Sequence, residues 1–165
     1  YQGIGPNESG ELLVRGPQIM LGYHNNEKAT KETITPDGWL RTGDIGYYDE
    51  NQTFYITDRL KELIKVKGYQ VPPAELEEIL RSHPAVVDAA VIGIPDRISG
   101  ELPRAYVVSK DPQVNEKDIQ EFVAQKVAEY KRLDGGVEFV KQIPKNATGK
   151  IMRKDLKEEY AKKLN

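Results

Sequence analysis

Asp58-Arg-Leu-Lys-Glu-Leu-Ile-Lys-Val-Lys-Gly-Tyr-Gln70 is where the chain changes character. Upstream lie turns and short strand-like runs; downstream, helical and strand-like stretches alternate. Inside the segment, Arg59, Lys61, Lys65 and Lys67 crowd around Leu60, Ile64 and Val66. Side chains of a strand alternate faces with period two. Read as one short buried strand, the segment therefore aims Lys61, Lys65 and Lys67 one way and Leu60, Ile64 and Val66 the other. The apolar face would hold it in a sheet, leaving a row of ammonium groups for a phosphate-bearing ligand. Lysines also blunt exposed strand edges, and taken alone the stretch reads at least as well as a solvated edge. Because the whole chain carries a formal net charge of only −2, the local crowding of cations still calls for a cause.

Outward from this segment, Pro72-Pro73 opens a helix over Ala74 to Ser82, with Leu76, Ile79 and Leu80 on one face; proline is tolerated in a first turn. Ala85 to Ile94 and Arg104 to Ser109 read as strands, the first apolar enough to be central. Asn115 caps a helix running to about Tyr130, with Ile119, Phe122, Val123 and Val127 as its stripe. Val137 to Val140 reads as a short strand and Met152 to Leu164 as a charged helix. On the other side, Glu11 to Arg15 reads as a strand after the Ser9-Gly10 turn. Asn26 caps a short helix that Pro36-Asp37-Gly38 ends. Asp44 to Tyr48 and Thr53 to Thr57 flank Asp49 to Gln52 as a hairpin with a four-residue loop. The strand–helix mixture suggests an open α/β sheet, with a domain boundary near residue 58.

A length of 165 residues allows one ordinary domain or two small ones. Hydrophobic and charged shares of 38% and 30% describe a soluble globular chain rather than a disordered one. No apolar run approaches the roughly 20 residues of a membrane-spanning helix. The chain opens on Tyr1-Gln-Gly-Ile-Gly-Pro6 with neither an initiator Met nor a signal-peptide pattern, and reads as mid-protein sequence from something longer. With no cysteine, disulfides, thiolate nucleophiles and Cys-based zinc sites drop out together. The acidic balance, with a pI of about 5.8, argues against general nucleic-acid binding.

Several familiar patterns fail on inspection. Thr148-Gly149-Lys150 ends like a P-loop, but Pro144 stands where that loop needs Gly and Ile151 replaces its Ser or Thr. Asp49 to Thr53 begins like a calcium loop, yet Phe54 occupies the glycine position. His24 and His83 have no metal-ligand spacing, so no metal site is expected. A hydrolase triad has no nucleophile elbow to rest on.

One ordered set of blocks holds together. Gly38-Trp-Leu-Arg-Thr-Gly-Asp44-Ile-Gly, Tyr55-Ile-Thr-Asp-Arg59, Lys65-Val-Lys-Gly-Tyr-Gln70-Val-Pro-Pro-Ala-Glu75, Gly100-Glu-Leu-Pro-Arg-Ala and Pro144-Lys-Asn-Ala-Thr-Gly-Lys150 follow one another. Together they resemble the carboxy-terminal part of the adenylate-forming (acyl-CoA synthetase) superfamily, within it the branch of 4-coumarate–CoA ligases and beetle luciferases. The resemblance covers essentially the whole chain. It implies an α+β fold: a small mixed sheet flanked by helices, the mobile lid domain, at 59–165, with a hinge near Lys61. Residues 1–58 would be the short β-rich tail of the large amino-terminal domain. The implied activity is that of an AMP-forming acid–CoA ligase using ATP, Mg2+ and coenzyme A, inactive without the amino-terminal domain that carries the carboxylic-acid pocket. Two alternatives stay open: a luciferase that oxidises the adenylate with light emission, and a stand-alone nucleotide-binding or interaction module. Neither nucleic acid nor a membrane span is implied. Localisation would be peroxisomal or cytoplasmic; the chain ends Lys162-Lys-Leu-Asn165 rather than in a peroxisomal Ser-Lys-Leu.

The same resemblance distributes roles. Asp44 would accept both ribose hydroxyls of ATP or AMP, as an ionised carboxylate can; a turn-closing Asp is the plainer reading. Arg59 would be the second ribose contact, its fork of donors suited to a sugar beside a phosphate, against a simple salt bridge with Asp58. Lys61 would be the hinge position, where a change of backbone torsions matters more than the side chain; it would also touch the adenylate, against the plainer reading of a solvated strand lysine. Lys150 would serve the first reaction, in which two anions about 4 Å apart repel by roughly 4 kcal/mol at an intermediate dielectric and an ammonium offsets that repulsion. Lys65 and Gln70 would approach the adenylate in the second conformation. Lys67 and Gly68 would adjoin the coenzyme A channel, Gly68 because a residue without Cβ lets the backbone approach a thin pantetheine arm.

Overall fold

Three antiparallel strands, β1 (Gly10–Val14), β2 (Leu40–Tyr48) and β3 (Phe54–Arg59), make a sheet in the order β1-β2-β3. The structure is a computed structural model and describes residues 3–164. Its chain divides into two compact units, Tyr1–Lys61 and Glu62–Asn165, and this first sheet belongs to the former. β2 and β3 form the expected hairpin, Tyr48 facing Phe54, but β2 begins at Leu40, ahead of the Asp44 start read from sequence. The loop is held by Asp49, whose Oδ1 accepts from the Asn51 and Thr53 amides. Helix α1 (Glu27–Thr33) starts where Asn26 predicts, with the Asn26 side chain accepting from the Ala29 amide at 3.0 Å.

The second unit is a small mixed sheet flanked by helices. Strands β4 (Ile64–Val66), β5 (Tyr69–Val71), β6 (Val86–Asp96) and β7 (Gly100–Ser109) are ordered β5-β4-β7-β6, all antiparallel, and β8 (Val137–Phe139) joins β7 in parallel. Its helices are α2 (Pro73–Arg81), α3 (Glu116–Ala124) and α4 (Arg153–Lys163). The sheet is therefore mixed and mostly antiparallel, not the open α/β sheet suggested by the alternation of elements. That alternation arises although β6 and β7 are joined by a short turn at 97–99, with helices before and after the pair.

Two apolar clusters follow the alternation of the strands. Ala89, Val91, Ala105 and Val107 pack with Leu76 and Leu80 of α2 and Ile119 and Val123 of α3. Ala90, Ile92, Ile94 and Tyr106 pack with Ile143 and with Leu156 of α4. This explains a correction. The apolar run of β6 suggests a central strand, yet it is β7 that pairs with β6, β4 and β8. β6 is apolar on both faces because helices cover both faces, not because strands flank both edges.

Helix α3 also differs from expectation. Its Asn115–Asp118 capping box opens it as the sequence suggests, but it stops at Ala124 with Gln125 as cap, short of Tyr130. The chain resumes as a 3-10 turn at Glu129–Lys131, and the Tyr130 ring stacks on Tyr69 at 4.2 Å between centroids. Phe122 and Val127 still border the core, so the stripe continues in space across a break in the helix.

Candidate functional site

In the first unit, Asp44 and Arg59 are directly paired across β2 and β3. Arg59 Nε lies 2.8 Å from Asp44 Oδ1, so Arg59 is ion-paired with Asp44. The Asp58 carboxylate instead accepts the amide of Arg59 at 2.7 Å. Around Asp44 the backbone is fastened: its amide donates to Thr42 Oγ1 at 3.0 Å, the Gly43 amide to Glu11 Oε1 at 3.2 Å, and the Leu60 amide to the Gly43 carbonyl at 2.8 Å. Both polar side chains keep exposed area, 56% for Arg59 and 25% for Asp44, so a sugar diol could reach them.

The basic segment at 58–70 is not one strand. β3 ends at Arg59, a turn carries Leu60, Lys61 and Glu62, and β4 begins at Ile64. Lys61 is the exposed last residue of the first unit. Lys67 and Gly68 form a two-residue turn between β4 and β5, with φ of 49° and 85°. Left-handed torsions at both positions belong to the hairpin turn whose twist matches its arms. The expected common row of Lys61, Lys65 and Lys67 is thereby broken: one lies in a turn before the hairpin, one on an arm, one at the tip. Gly68 also has a local reason for being glycine, since nothing lies within 4 Å of where a Cβ would project and the positive φ alone selects it.

What the hairpin brings together is Lys65 and Gln70. They are direct partners in the antiparallel register, so their side chains leave the same face side by side. Ile64 and Val66 are buried on either side of exposed Lys65, preserving the alternation where β4 is a true strand. The Lys65 amide donates to Glu101 Oε2 at 2.8 Å and the Lys67 amide to the Ser99 carbonyl at 2.7 Å, tying arm and tip to the start of β7.

Lys150 sits on a separate, stapled turn. Asn146 Oδ1 accepts from the Thr148 amide, the Thr148 hydroxyl and the Lys150 amide, at 3.0, 2.8 and 2.9 Å. The Asn146 amide in turn donates to the Lys150 carbonyl at 2.9 Å, and Gly149 takes φ 83° to close the loop. The side chain is half-exposed, with Nζ 3.8 Å from Glu62 Oε1.

Three residues beside Lys150 escaped the sequence reading: Glu62, Glu77 and Arg153. Glu77, 3% exposed on α2, accepts the Val91 amide at 2.9 Å and both Arg153 Nη2 contacts at 2.8 Å. Burial holds its carboxyl above the usual carboxylate range, against the opposing pull of Arg153 and the Val91 amide. Arg153 reaches on through Nη1 to Glu62 Oε2. A Glu in an amphipathic helix reads as solvated, and its partner lies 76 positions later, so only the paired spacing of Glu75 and Glu77 with the inward Leu76 and Leu80 could have pointed to it.

Among the described residues no group of three or more His, Cys, Asp or Glu side chains is placed to hold a metal ion. None of their helices is long and apolar enough to cross a membrane.

Residues 75–150 match the family model described as AMP-binding enzyme C-terminal domain. Luciferin 4-monooxygenase of Nipponoluciola cruciata is 55% identical over 164 residues, covering 96% of this chain and 30% of its own length. The probable 4-coumarate–CoA ligase 1 of Dictyostelium discoideum is 52% identical over 164 residues, covering 99% of this chain and 30% of that protein. Among solved structures, o-succinylbenzoate CoA synthetase from Bacillus subtilis, in complex with its acyl-adenylate intermediate, superposes with a TM-score of 0.79 at 38% identity. That match covers 93% of this chain and 31% of the other. The chain thus spans about 30% of the length of the curated relatives it matches.

Proposed function

We propose, from the premise that residues 75–150 belong to the AMP-binding enzyme C-terminal domain family, that this chain is the carboxy-terminal region of an AMP-forming acid–CoA ligase. In this reading the carboxylate of an acid substrate attacks the α-phosphate of ATP. The new bond joins acid oxygen to phosphorus, the bond to the β-phosphate breaks, and pyrophosphate leaves. The sulfur of coenzyme A then attacks the acyl carbon and AMP departs. The acid pocket would belong to a further, larger domain, as the 30% coverage of the relatives suggests. Mg2+ would enter as the companion of the ATP phosphates. Peroxisomal or cytoplasmic localisation goes with the same reading.

The roles divide by position. Asp44 would take the ribose hydroxyls while Arg59, already on its other oxygen, orients it and faces the phosphate side. Lys150 would offset the repulsion between carboxylate and α-phosphate, the first step. Lys65 and Gln70, side by side on the hairpin, would meet the adenylate in the second step, with Lys67 and Gly68 beside the coenzyme A arm. Residues 1–58 would then be the tail of the large domain and 59–165 the lid, turning about Lys61. The observation that carries this reading is that Lys150 and the Lys65–Gln70 pair are built on two separate supports of one compact unit, a stapled turn and a hairpin, whose boundary with the other unit falls between Lys61 and Glu62. Two such lysines do not easily share one small reaction centre, so one body presenting each in turn fits the chemistry.

The test uses the enzyme that carries this chain. Lys150→Ala should suppress adenylate formation at least about a hundredfold, the order lost with one electrostatic stabiliser, and leave transfer from preformed adenylate to coenzyme A nearly intact. Lys65→Ala or Gln70→Ala should do the reverse. Equal loss of both steps in Lys150→Ala would sink the division of labour. A second reading, a luciferase-like oxidation of the adenylate, is favoured by the 55% identity to a luciferin 4-monooxygenase. Light emission on supplying luciferin, ATP and oxygen separates it from thioester formation.

A further inference from the structure

Lys150 ends a row of alternating charges. Glu77, with a 4% exposed side chain, grips Arg153; Arg153, 14% exposed, reaches Glu62; Glu62, 25% exposed, faces Lys150, 54% exposed. Exposure rises along the row, and the outermost contact is the longest, 3.8 Å at Glu62–Lys150 against 2.8 Å at Glu77–Arg153. The inner links are therefore firm and the outermost is weak and readily exchanged.

We infer that Glu62 is a holding site for the Lys150 ammonium, kept in place by Arg153 and Glu77, and that Lys150 leaves it for an anionic substrate as the lid turns. The inference rests on the reading that Lys150 serves adenylate formation. Two observations give it direction. Glu62 is the first residue of the second unit, directly after Lys61, so the holding site rides on the same body as Lys150 and stands next to the pivot in the chain. When Lys150 departs, Glu62 keeps Arg153 and is not left as a bare charge, which keeps the release inexpensive. Glu62 and Arg153 act here through Lys150; they are positioning residues.

Trace acetylation of the folded 165-residue chain with an N-hydroxysuccinimide ester of acetate, read by mass spectrometry, reports how available each amine is. Exposed Lys157 on α4 serves as reference. Glu62→Gln should raise the Lys150-to-Lys157 labelling ratio about two- to fivefold, the population ratio that an exposed ion pair of ordinary strength represents. In the unaltered chain, 1 M NaCl should raise the same ratio, because the screening length falls to about 3 Å. A ratio unmoved by Glu62→Gln in a chain with an unchanged melting profile overturns the inference. Should that variant fail to fold, a ratio unmoved by salt in the unaltered chain overturns it instead. Labelling reads the holding site without any catalysis, so its failure is distinct from a failure of Lys150→Ala to block adenylation.

Discussion

The two units stabilise themselves in different ways. Every buried apolar side chain among the described residues lies at Leu63 or beyond, while the buried residues of the first unit are polar, Thr35 and Asp58. Its sheet shows Phe54, Tyr55 and Ile56 to solvent, at 62%, 42% and 56% exposure. It is held by turns, caps and ring contacts: Tyr47 on Tyr55 at 5.0 Å, and the Arg15 guanidinium over Trp39 at 4.6 Å. The second unit has two apolar layers with β7 between them. Hydrogen-bonded local geometry can fix the place of single side chains such as Asp44 and Arg59, but packing on both faces is what makes a whole unit stiff.

That contrast can be broken by mutation. The largest effect should come from Glu77→Ala, which strips Arg153 of its buried partner, leaving it Glu62, and orphans the Val91 amide; a loss of about 3–5 kcal/mol is expected in urea unfolding of the second unit. In the 165-residue chain by itself, Leu76→Ala, at a fully buried position, should cost about 2–5 kcal/mol, whereas Phe54→Ala in the first unit should stay within about 0.5 kcal/mol. Equal losses at Leu76 and Phe54 would abolish the distinction between the units.

Smaller effects sharpen it at the turns. Gly68→Ala forces a Cβ into left-handed torsions and should lower stability by about 1–2 kcal/mol, with Gly68→Asn milder in thermal unfolding. Asn26→Ala removes the cap of α1 and should cost about 1 kcal/mol, visible as fraying by amide exchange confined to Glu27–Thr33. The smallest is a matter of pH. Amide donors hold the carboxyls of Asp49 and Asp96 below the usual carboxylate range, from Thr53 in one case and Ser99 and Ile98 in the other. A folded value below the unfolded one means stabilisation that is fully present above the ordinary carboxylate range and is lost progressively as pH falls from there through the lowered folded value. Asp49→Asn and Asp96→Asn should each flatten the acid limb of unfolding, measured by circular dichroism between pH 6 and about pH 3.

Where sequence and structure agree, the signal was local. Asn26 and Asn115 cap their helices because a short polar side chain can reach its own amides, a relation visible within four residues. Leu76, Leu80, Ile119 and Val123 declare their faces by spacing alone. The misreadings came from relations that spacing does not carry. Lysine is not a residue that announces φ 49°, so by spacing alone the hairpin at Lys67-Gly68 reads as a continuous strand. Gln125 to Tyr130 looks as helical as what precedes it, and only the stacking of Tyr130 on Tyr69 shows why the chain turns. For the candidate site, the ordered blocks named the residues, but the pairing of Arg59 with Asp44 and the row from Glu77 to Lys150 depend on partners far apart in the chain.

The corner at Lys67-Gly68 has one more consequence. Two successive residues there occupy the torsions natural to the mirror image of an amino acid. A synthetic chain with D-alanine at 68 should keep the β4–β5 hairpin, where L-alanine strains it. Chirality at a single Cα, with composition and charge unchanged, would then decide how much strain the arm bearing Lys65 and Gln70 must carry.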